Sequence, residues 1–136
     1  MSKLKCMQQV NKNFCNALKN QNDIYNYNEP YDNVVLTGLV ALYKICFEQA
    51  WKAIKEIMEQ NGIYEAKSGS PRQILKAAYK SGMIKDETVW LEALASRNNV
   101  DHAYNSAVAL EIVTKTNEIY YDMFVELKEE LTNSWL

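Results

Sequence analysis

Apolar side chains recur at steps of three and four along most of the chain, which is the spacing of one face of an α-helix. The first such stretch, at about 3–20, places Leu4 and Leu18 on one face, while lysines decorate the other. The segment 21–33 then changes to Asn, Asp and Tyr around Pro30, which predicts a connector and not a domain boundary. The tyrosines of this connector, which either pack on the body of the protein or stack on bases, are Tyr25, Tyr27 and Tyr31.

The longest apolar pattern predicts a helix that begins after Asp32 or Asn33 and runs to Gln60, where Asn61 and Gly62 end it. At 1.5 Å per residue, such a helix is about 40 Å long. Its apolar stripe is so broad in the first half that it indicates burial on two sides. Either this is the central core helix, or a second copy of the protein covers one of its faces.

A third helix is predicted to start at Ser70 and to stop at Gly82. Ser70 can cap it, Pro71 fits the first helical position, and Gln73 can complete a capping box. On the side opposite its apolar residues, cations recur every four positions. These cations are either a solvated face or a surface for a nucleic-acid backbone or an acidic partner. We call them the cationic row: Arg72, Lys76 and Lys80.

A further short helix is predicted from the capping residue Asp86 to about Ser96. The last helix restarts near Asn105, and its spacing places Ile119 and Phe124 on one apolar side. No stretch has the alternation of a strand. The sequence therefore predicts one all-α domain over 1–136, an up-and-down helical bundle with two long antiparallel helices and several short ones.

Composition narrows the possible functions. The chain has 136 residues, of which 48% are hydrophobic and 24% charged, and is large enough for a real core. Its formal net charge of −2 means that any binding of nucleic acid or anionic membrane must come from a local patch. Three cysteines without metal-like spacing predict reduced thiols in a cytoplasmic protein. No signal peptide is expected, and the apolar run 34–46 is too short to span a bilayer.

The stretch 97–104, between the last two predicted helices, concentrates the polar chemistry. It contains Arg97, Asn98, Tyr104 and the only histidine of the chain, His102. An arginine binds two phosphate oxygens through its planar fork, and an imidazole can move a proton near neutral pH. The following helix N-terminus adds positive potential. This spacing indicates either a site that handles a phosphate ester or a histidine with a purely structural role.

Five segments of the chain, in this order, resemble the nucleotidyltransferase substrate-binding family of HEPN domains. The resemblance runs from about 33 to 131, roughly three-quarters of the chain. The segments are FEQAWK at 47–52, SPR at 70–72, AYKSGMI at 78–84, WL at 90–91, and RN with HAY at 97–104.

The resemblance implies a fold, partners and an activity. HEPN domains are helical bundles that form two-fold dimers, with the arginine and histidine motifs of both subunits facing each other across a cleft. Members of this branch associate with a minimal nucleotidyltransferase and were first viewed as subunits that present substrate to it. Those with the motif R-x4-H-x-Y are toxins of toxin–antitoxin pairs and act as metal-independent ribonucleases. The nucleotidyltransferase silences them by attaching AMP to the motif tyrosine.

Carried over by position, the resemblance implies that Arg97 holds phosphoryl oxygens, Asn98 orients the ribose or phosphate, and His102 is the general base or acid. The modified phenol would be Tyr104, and the cationic row would extend the track for RNA. No cofactor and no metal ion are implied. One departure is Asp101, where the family often has Ser or Thr. A carboxylate there could favour a charged imidazole, repel an RNA phosphate, or have no effect if it points away.

Two functions remain open at this point. The protein is a ribonuclease toxin restrained by its nucleotidyltransferase partner, or it is a non-catalytic adaptor that binds the partner together with a nucleotide or RNA. In the second case Arg97 and His102 serve recognition or dimer packing.

Overall fold

A computed structural model describes residues 3–63, 66 and 69–136 of the chain, and the side chains from residue 8 onward within these ranges. The predicted roles of Leu4 and Cys6 therefore lie outside the described side chains. Five helices carry the fold in this part of the chain. They are α1 (Lys3–Gln21), α2 (Asn33–Gln60), α3 (Pro71–Lys80), α4 (Glu87–Asn98) and a long α5 over 106–135.

Helix α5 is not uniform along its length. Its α-helical parts, Ser106–Lys115 and Tyr121–Glu130, are each followed by a π-helical turn, Thr116–Tyr120 and Leu131–Trp135 respectively. The buried residues Ile112, Thr116, Tyr120 and Phe124 continue at steps of four through the first π turn, and Ile119 lies beside this line. The prediction that Ile119 lies on the apolar side is therefore wrong, since this side chain is 36% exposed.

Side-chain caps start the helices where the sequence predicts. Asp32 accepts a hydrogen bond from the amide of Val35 at 2.8 Å. Ser70 and Gln73 form both halves of a capping box on α3, and Asp86 caps α4. These caps satisfy amide groups that have no partner inside the helix.

Two glycines end helices α2 and α3. Gly62 has a φ of 77° and Gly82 a φ of 81°. Only glycine adopts this left-handed conformation without steric cost, so the chain can turn directly after each helix. Both ends agree with the sequence prediction.

The core lies around α2, which contributes eleven buried side chains. The ring of Tyr43 stacks on Tyr120 at 5.4 Å between centroids. Phe124 meets the edges of Phe14 and Trp90 at 6.3 and 5.8 Å. These aromatic contacts join α1, α2, α4 and α5 into one core. By length and hydropathy α2 could also cross a membrane, but the core helix of a globular bundle passes the same test.

Helix α1 and the connector that follows it both contact α5. Phe14 lies beside Phe124, whereas Tyr25 further along the chain lies beside Tyr121, so α1 runs antiparallel to α5. The Tyr25 hydroxyl also donates to the Asn117 carbonyl at 3.3 Å. Tyr31 accepts a hydrogen bond from the side chain of Asn117, so two of the connector tyrosines contact α5, whereas Tyr27 is 46% exposed. With 19 residues, α1 is a third long helix where the sequence analysis expected two.

Candidate functional site

The stretch 97–104 joins the last turn of α4 to the start of α5. Helix α4 continues beyond its predicted end near Ser96, so that Arg97 and Asn98 form part of its final turn. A 3₁₀ helix, Asn99–His102, follows directly. Asn105 then caps α5. The predicted site residues therefore occupy one continuous surface segment between two helices.

The guanidinium of Arg97 is held from two directions. Its Nε donates to Oε1 of Glu48 on α2, and its Nη1 donates to Oδ1 of Asn98 at 3.1 Å. The second oxygen of Glu48 accepts a hydrogen bond from the indole Nε1 of Trp51 at 3.1 Å. Arg97 is half-buried as a result. The ion pair connects the core helix α2 to the end of α4.

The imidazole of His102 and the phenol of Tyr104 both face solvent. Their rings meet edge to face, with 6.4 Å between centroids and 63° between planes. Tyr104 is 89% exposed, and His102 and Asp101 are exposed as well. Within the described residues, the imidazole makes no hydrogen bond to another side chain or to the backbone. His102 is therefore not a buried structural histidine.

Arg97 and His102 lie on successive elements. In the described part of the chain, no hydrogen bond joins their side chains. Arg97 points towards α2 and Glu48, while His102 lies at the end of the 3₁₀ helix. One copy of the chain thus presents a fixed cation and an open imidazole on the same segment.

A polar network holds α4 in place one residue before Arg97. The hydroxyls of Tyr120 and Ser96 are 2.8 Å apart, and the Tyr120 hydroxyl also lies 3.4 Å from Oε1 of Glu92. Burial raises the pKa of the Tyr120 phenol above its ordinary value. Lys115 forms an ion pair with the same carboxylate, and this hydrogen bond raises the pKa of the lysine.

The cationic row lies on the exposed side of α3, as the sequence predicts. The middle cation is partly neutralised, because Lys76 Nζ lies 3.0 Å from a carboxylate oxygen of Glu87 at the start of α4. In the described part of the chain, no group of three or more His, Cys, Asp and Glu side chains is placed to hold a metal ion.

Glu48 belongs to this site although its position in the sequence does not indicate it. It stands in the segment FEQAWK and is the first acidic side chain of α2, between the buried Phe47 and Ala50. A carboxylate on a core helix requires a cation or hydrogen-bond donors nearby, and this requirement was the available signal. The partner could not be identified, because Arg97 lies 49 positions further along the chain.

Two solved structures share this bundle over nearly its whole length. The first is the crystal structure of a protein from Thermus thermophilus, with a TM-score of 0.76 and 21% identity, covering 87% of this chain and 98% of that one. The second is HI0074 from Haemophilus influenzae, with a TM-score of 0.69 and 17% identity, covering 96% of this chain and 99% of that one. Its structure is described as revealing the fold of a substrate binding domain of a nucleotidyltransferase. The fold is thus the all-α, five-helix bundle of HI0074.

The family follows from the sequence itself. A family model described as "Nucleotidyltransferase substrate binding protein like" matches residues 3–133. The chain therefore belongs to the nucleotidyltransferase substrate-binding protein family, whose fold is a HEPN-type domain. This confirms the resemblance seen in the five sequence segments. No curated protein matches the chain.

Proposed function

We propose that this protein is the HEPN-type partner of a minimal nucleotidyltransferase and that it cleaves RNA without a metal ion. Arg97, Asn98 and His102 are the residues of this reaction. The observation that carries the proposal is the contrast within one short segment: the Arg97 guanidinium is fixed by hydrogen bonds, whereas the His102 imidazole is open to solvent. The family name supports the nucleotidyltransferase as partner. An RNA substrate and the free thiols of Cys15 and Cys46 agree with a cytoplasmic location.

The reaction uses the nucleophile that RNA itself carries. The 2′-oxygen attacks the adjacent phosphorus, the bond from phosphorus to the 5′-oxygen breaks, and a 2′,3′-cyclic phosphate forms. His102 accepts the proton of the 2′-hydroxyl, and a second imidazole donates a proton to the departing 5′-oxygen. The guanidinium of Arg97 stabilises the negative charge that builds on the phosphoryl oxygens. Asn98 adds a directed hydrogen bond to the phosphate or ribose.

The second imidazole comes from a second copy of the chain. An apolar stripe of small and branched side chains lies exposed on the first half of α2, including Val34 at 84% and Ile45 at 51% exposure, with Ala41 between them. Gly38 lies on the same line, and an added Cβ there would meet no atom within 4 Å. This spacing of three and four is that of a helix–helix seam. Its next position is Glu48, so a second copy on the stripe lies beside the Arg97 ion pair.

Tyr104 is the site at which the partner silences the reaction. At 89% exposure its hydroxyl is accessible for transfer of AMP from ATP, with release of pyrophosphate. The added group carries a negative phosphate, two residues after His102. Bulk and charge at this place exclude an RNA phosphate from the cleft.

The cationic row extends the surface that RNA follows. Arg72 and Lys80, at its two ends, are exposed and can contact backbone phosphates. Lys76 contributes less because Glu87 already pairs with it.

A second candidate function is that of a non-catalytic adaptor, which presents a nucleotide or RNA to the nucleotidyltransferase. The specific support is the family description and that of HI0074, both of which name substrate binding. In this case Arg97 and His102 bind a phosphate and no bond is broken.

One experiment separates the two functions. Purified protein is incubated with single-stranded RNA in EDTA, and wild type is compared with His102→Ala and with a control, Asp23→Ala, in the exposed turn after α1. The ribonuclease proposal predicts decay of RNA with wild type and Asp23→Ala but not with His102→Ala. Equal decay in all three samples would reject it, and RNA binding without decay in any sample would favour the adaptor.

A further inference from the structure

Glu48 occupies an unusual position for a surface carboxylate. Its neighbours along α2, Phe47 and Ala50, are fully buried, so its backbone is held by the core of the bundle. Its side chain is only 20% exposed. Both of its oxygens accept hydrogen bonds, one from Arg97 and one from Trp51. The carboxylate is therefore oriented from both ends.

Among the residues that the structure describes, a defined part of the Arg97 guanidinium has no hydrogen-bond partner. Nε is occupied by Glu48 and one hydrogen of Nη1 by Asn98. An arginine has five N–H donors in a planar fork, so three remain, and the terminal Nη atoms provide them. Two parallel hydrogen bonds from this end suit a phosphate. The carboxylate fixes the plane of the fork and directs its free end away from α2.

We propose that Glu48, held by Trp51, is a positioning residue that sets the orientation of Arg97 for the phosphate of RNA. This inference rests on the proposed ribonuclease function and adds two residues to it. A simple stabilising ion pair explains the arrangement less well. The side chains of Arg97 and Glu48 are 33% and 20% exposed, so water screens part of their attraction. The indole hydrogen bond adds orientation to the carboxylate and no charge to the pair.

The test compares cleavage by Glu48→Ala, Glu48→Gln and Trp51→Phe. Glu48→Ala should lower kcat by about 10- to 100-fold, the range found for residues that orient the ligands of metal sites. KM for RNA should stay the same or fall, because a negative charge near the phosphate has been removed. Glu48→Gln should recover part of kcat, to about the level of Trp51→Phe, since its amide oxygen can accept from Arg97 but its NH2 group cannot accept from Trp51. Trp51→Phe keeps a ring but loses the donor, and its kcat should lie between wild type and Glu48→Ala.

The matched control is Glu56→Ala on the same helix. Glu56 is also half-buried and accepts a side-chain hydrogen bond, but from Gln60 instead of Arg97. Its loss should leave kcat unchanged. A spectroscopic readout independent of cleavage is the Nε–Hε NMR signal of Arg97. This signal should be protected from solvent exchange in wild type and Glu56→Ala and should lose that protection in Glu48→Ala.

The outcomes distinguish this inference from the proposal beneath it. A wild-type protein that does not cleave RNA overturns the ribonuclease function, and the inference with it. An active wild type with Glu48→Ala at full kcat overturns the inference alone. Unchanged protection of the Arg97 signal in Glu48→Ala, or no recovery in Glu48→Gln, overturns it as well.

Discussion

The hydroxyl of Tyr120 lies 2.8 Å from the hydroxyl of Ser96 and joins the π turn of α5 to the last turns of α4. Ser96 directly precedes Arg97, so this contact fixes the end of the helix that carries the cation. Tyr120 is the last residue of this turn and is fully buried, so its hydroxyl lies inside the contact between the two helices. An irregular turn in one helix thus supports the candidate site on another.

Replacing Tyr120 with Phe tests this support. The ring remains, but the hydrogen bonds to Ser96 and Glu92 are lost, so the free energy of unfolding should fall by about 1–2 kcal/mol. Urea unfolding followed by circular dichroism measures the change. Tyr27→Phe is the control, since Tyr27 is 46% exposed. A loss no larger than that of the control would show that the hydroxyl contact contributes nothing.

Stability should also decline at alkaline pH because of Tyr43. Burial raises the pKa of this phenol well above its ordinary value of 10.0. The unfolded chain therefore releases the proton near pH 10 while the folded chain retains it. The stabilisation is complete below about pH 10 and is lost as pH rises towards the pKa of the folded state, at up to about 1.4 kcal/mol per pH unit.

The variant Tyr43→Phe should flatten this decline. Urea unfolding is measured between pH 9 and 11 at intervals of about half a pH unit. The free energies of unfolding give the slope of stability against pH. The variant starts from a lower stability at neutral pH, because it lacks the hydrogen bond to the carbonyl of Ala93. Tyr27→Phe should keep the wild-type slope. If wild type and Tyr43→Phe have the same slope, the alkaline loss has another origin.

The apolar stripe on α2 predicts that Ile45→Glu separates the dimer. Ile45 is the last apolar residue of the stripe before Glu48 and is 51% exposed, and a charge there opposes burial by a second copy. Light scattering should report twice the chain mass of 15.7 kDa for wild type and the single mass for the variant. Lys44→Glu, the exposed neighbour outside the stripe, should remain dimeric. A monomeric wild type would contradict the proposed dimer.

The cationic row predicts the salt dependence of RNA binding. Removing Arg72 and Lys80 together should reduce the slope of log affinity against log salt by about 1.4, because each phosphate contact on a single strand contributes about 0.7. Fluorescence anisotropy with a labelled oligonucleotide at several salt concentrations measures this. A double variant of Lys12 and Lys19 on α1 removes the same charge elsewhere and should keep the slope. Equal slopes for both double variants would place RNA on another surface.

Local sequence signals were sufficient for the fold and for where the helices begin. Asp32, Ser70 and Asp86 each accept a hydrogen bond from a backbone amide three residues further on. Because both partners lie in one short segment, the sequence alone predicts these caps. The π turn in α5 has no such local signal in the sequence. Ile119 lies in this turn and is 36% exposed, although the apolar spacing predicts it on the buried side.

The residues of the candidate site also fall into those that the sequence predicts and one that it does not. Arg97, His102 and Tyr104 could be named because residue type and spacing fall within one short segment. Glu48 could not be paired with Arg97, because their contact depends on how α2 and α4 pack. Sequence spacing describes one helix at a time, whereas a contact between helices depends on the whole core.

The most direct measurement of the central claim is the chemical nature of the RNA ends. Oligonucleotide products formed by wild-type protein in EDTA are identified by mass spectrometry, beside those of His102→Ala. A substrate with one 2′-deoxyribose at the cleaved position is included. The proposed reaction predicts 2′,3′-cyclic phosphate ends with wild type, no products with His102→Ala, and no cleavage at the deoxyribose. Ends that carry a 5′-phosphate, or the same products from His102→Ala, would contradict it.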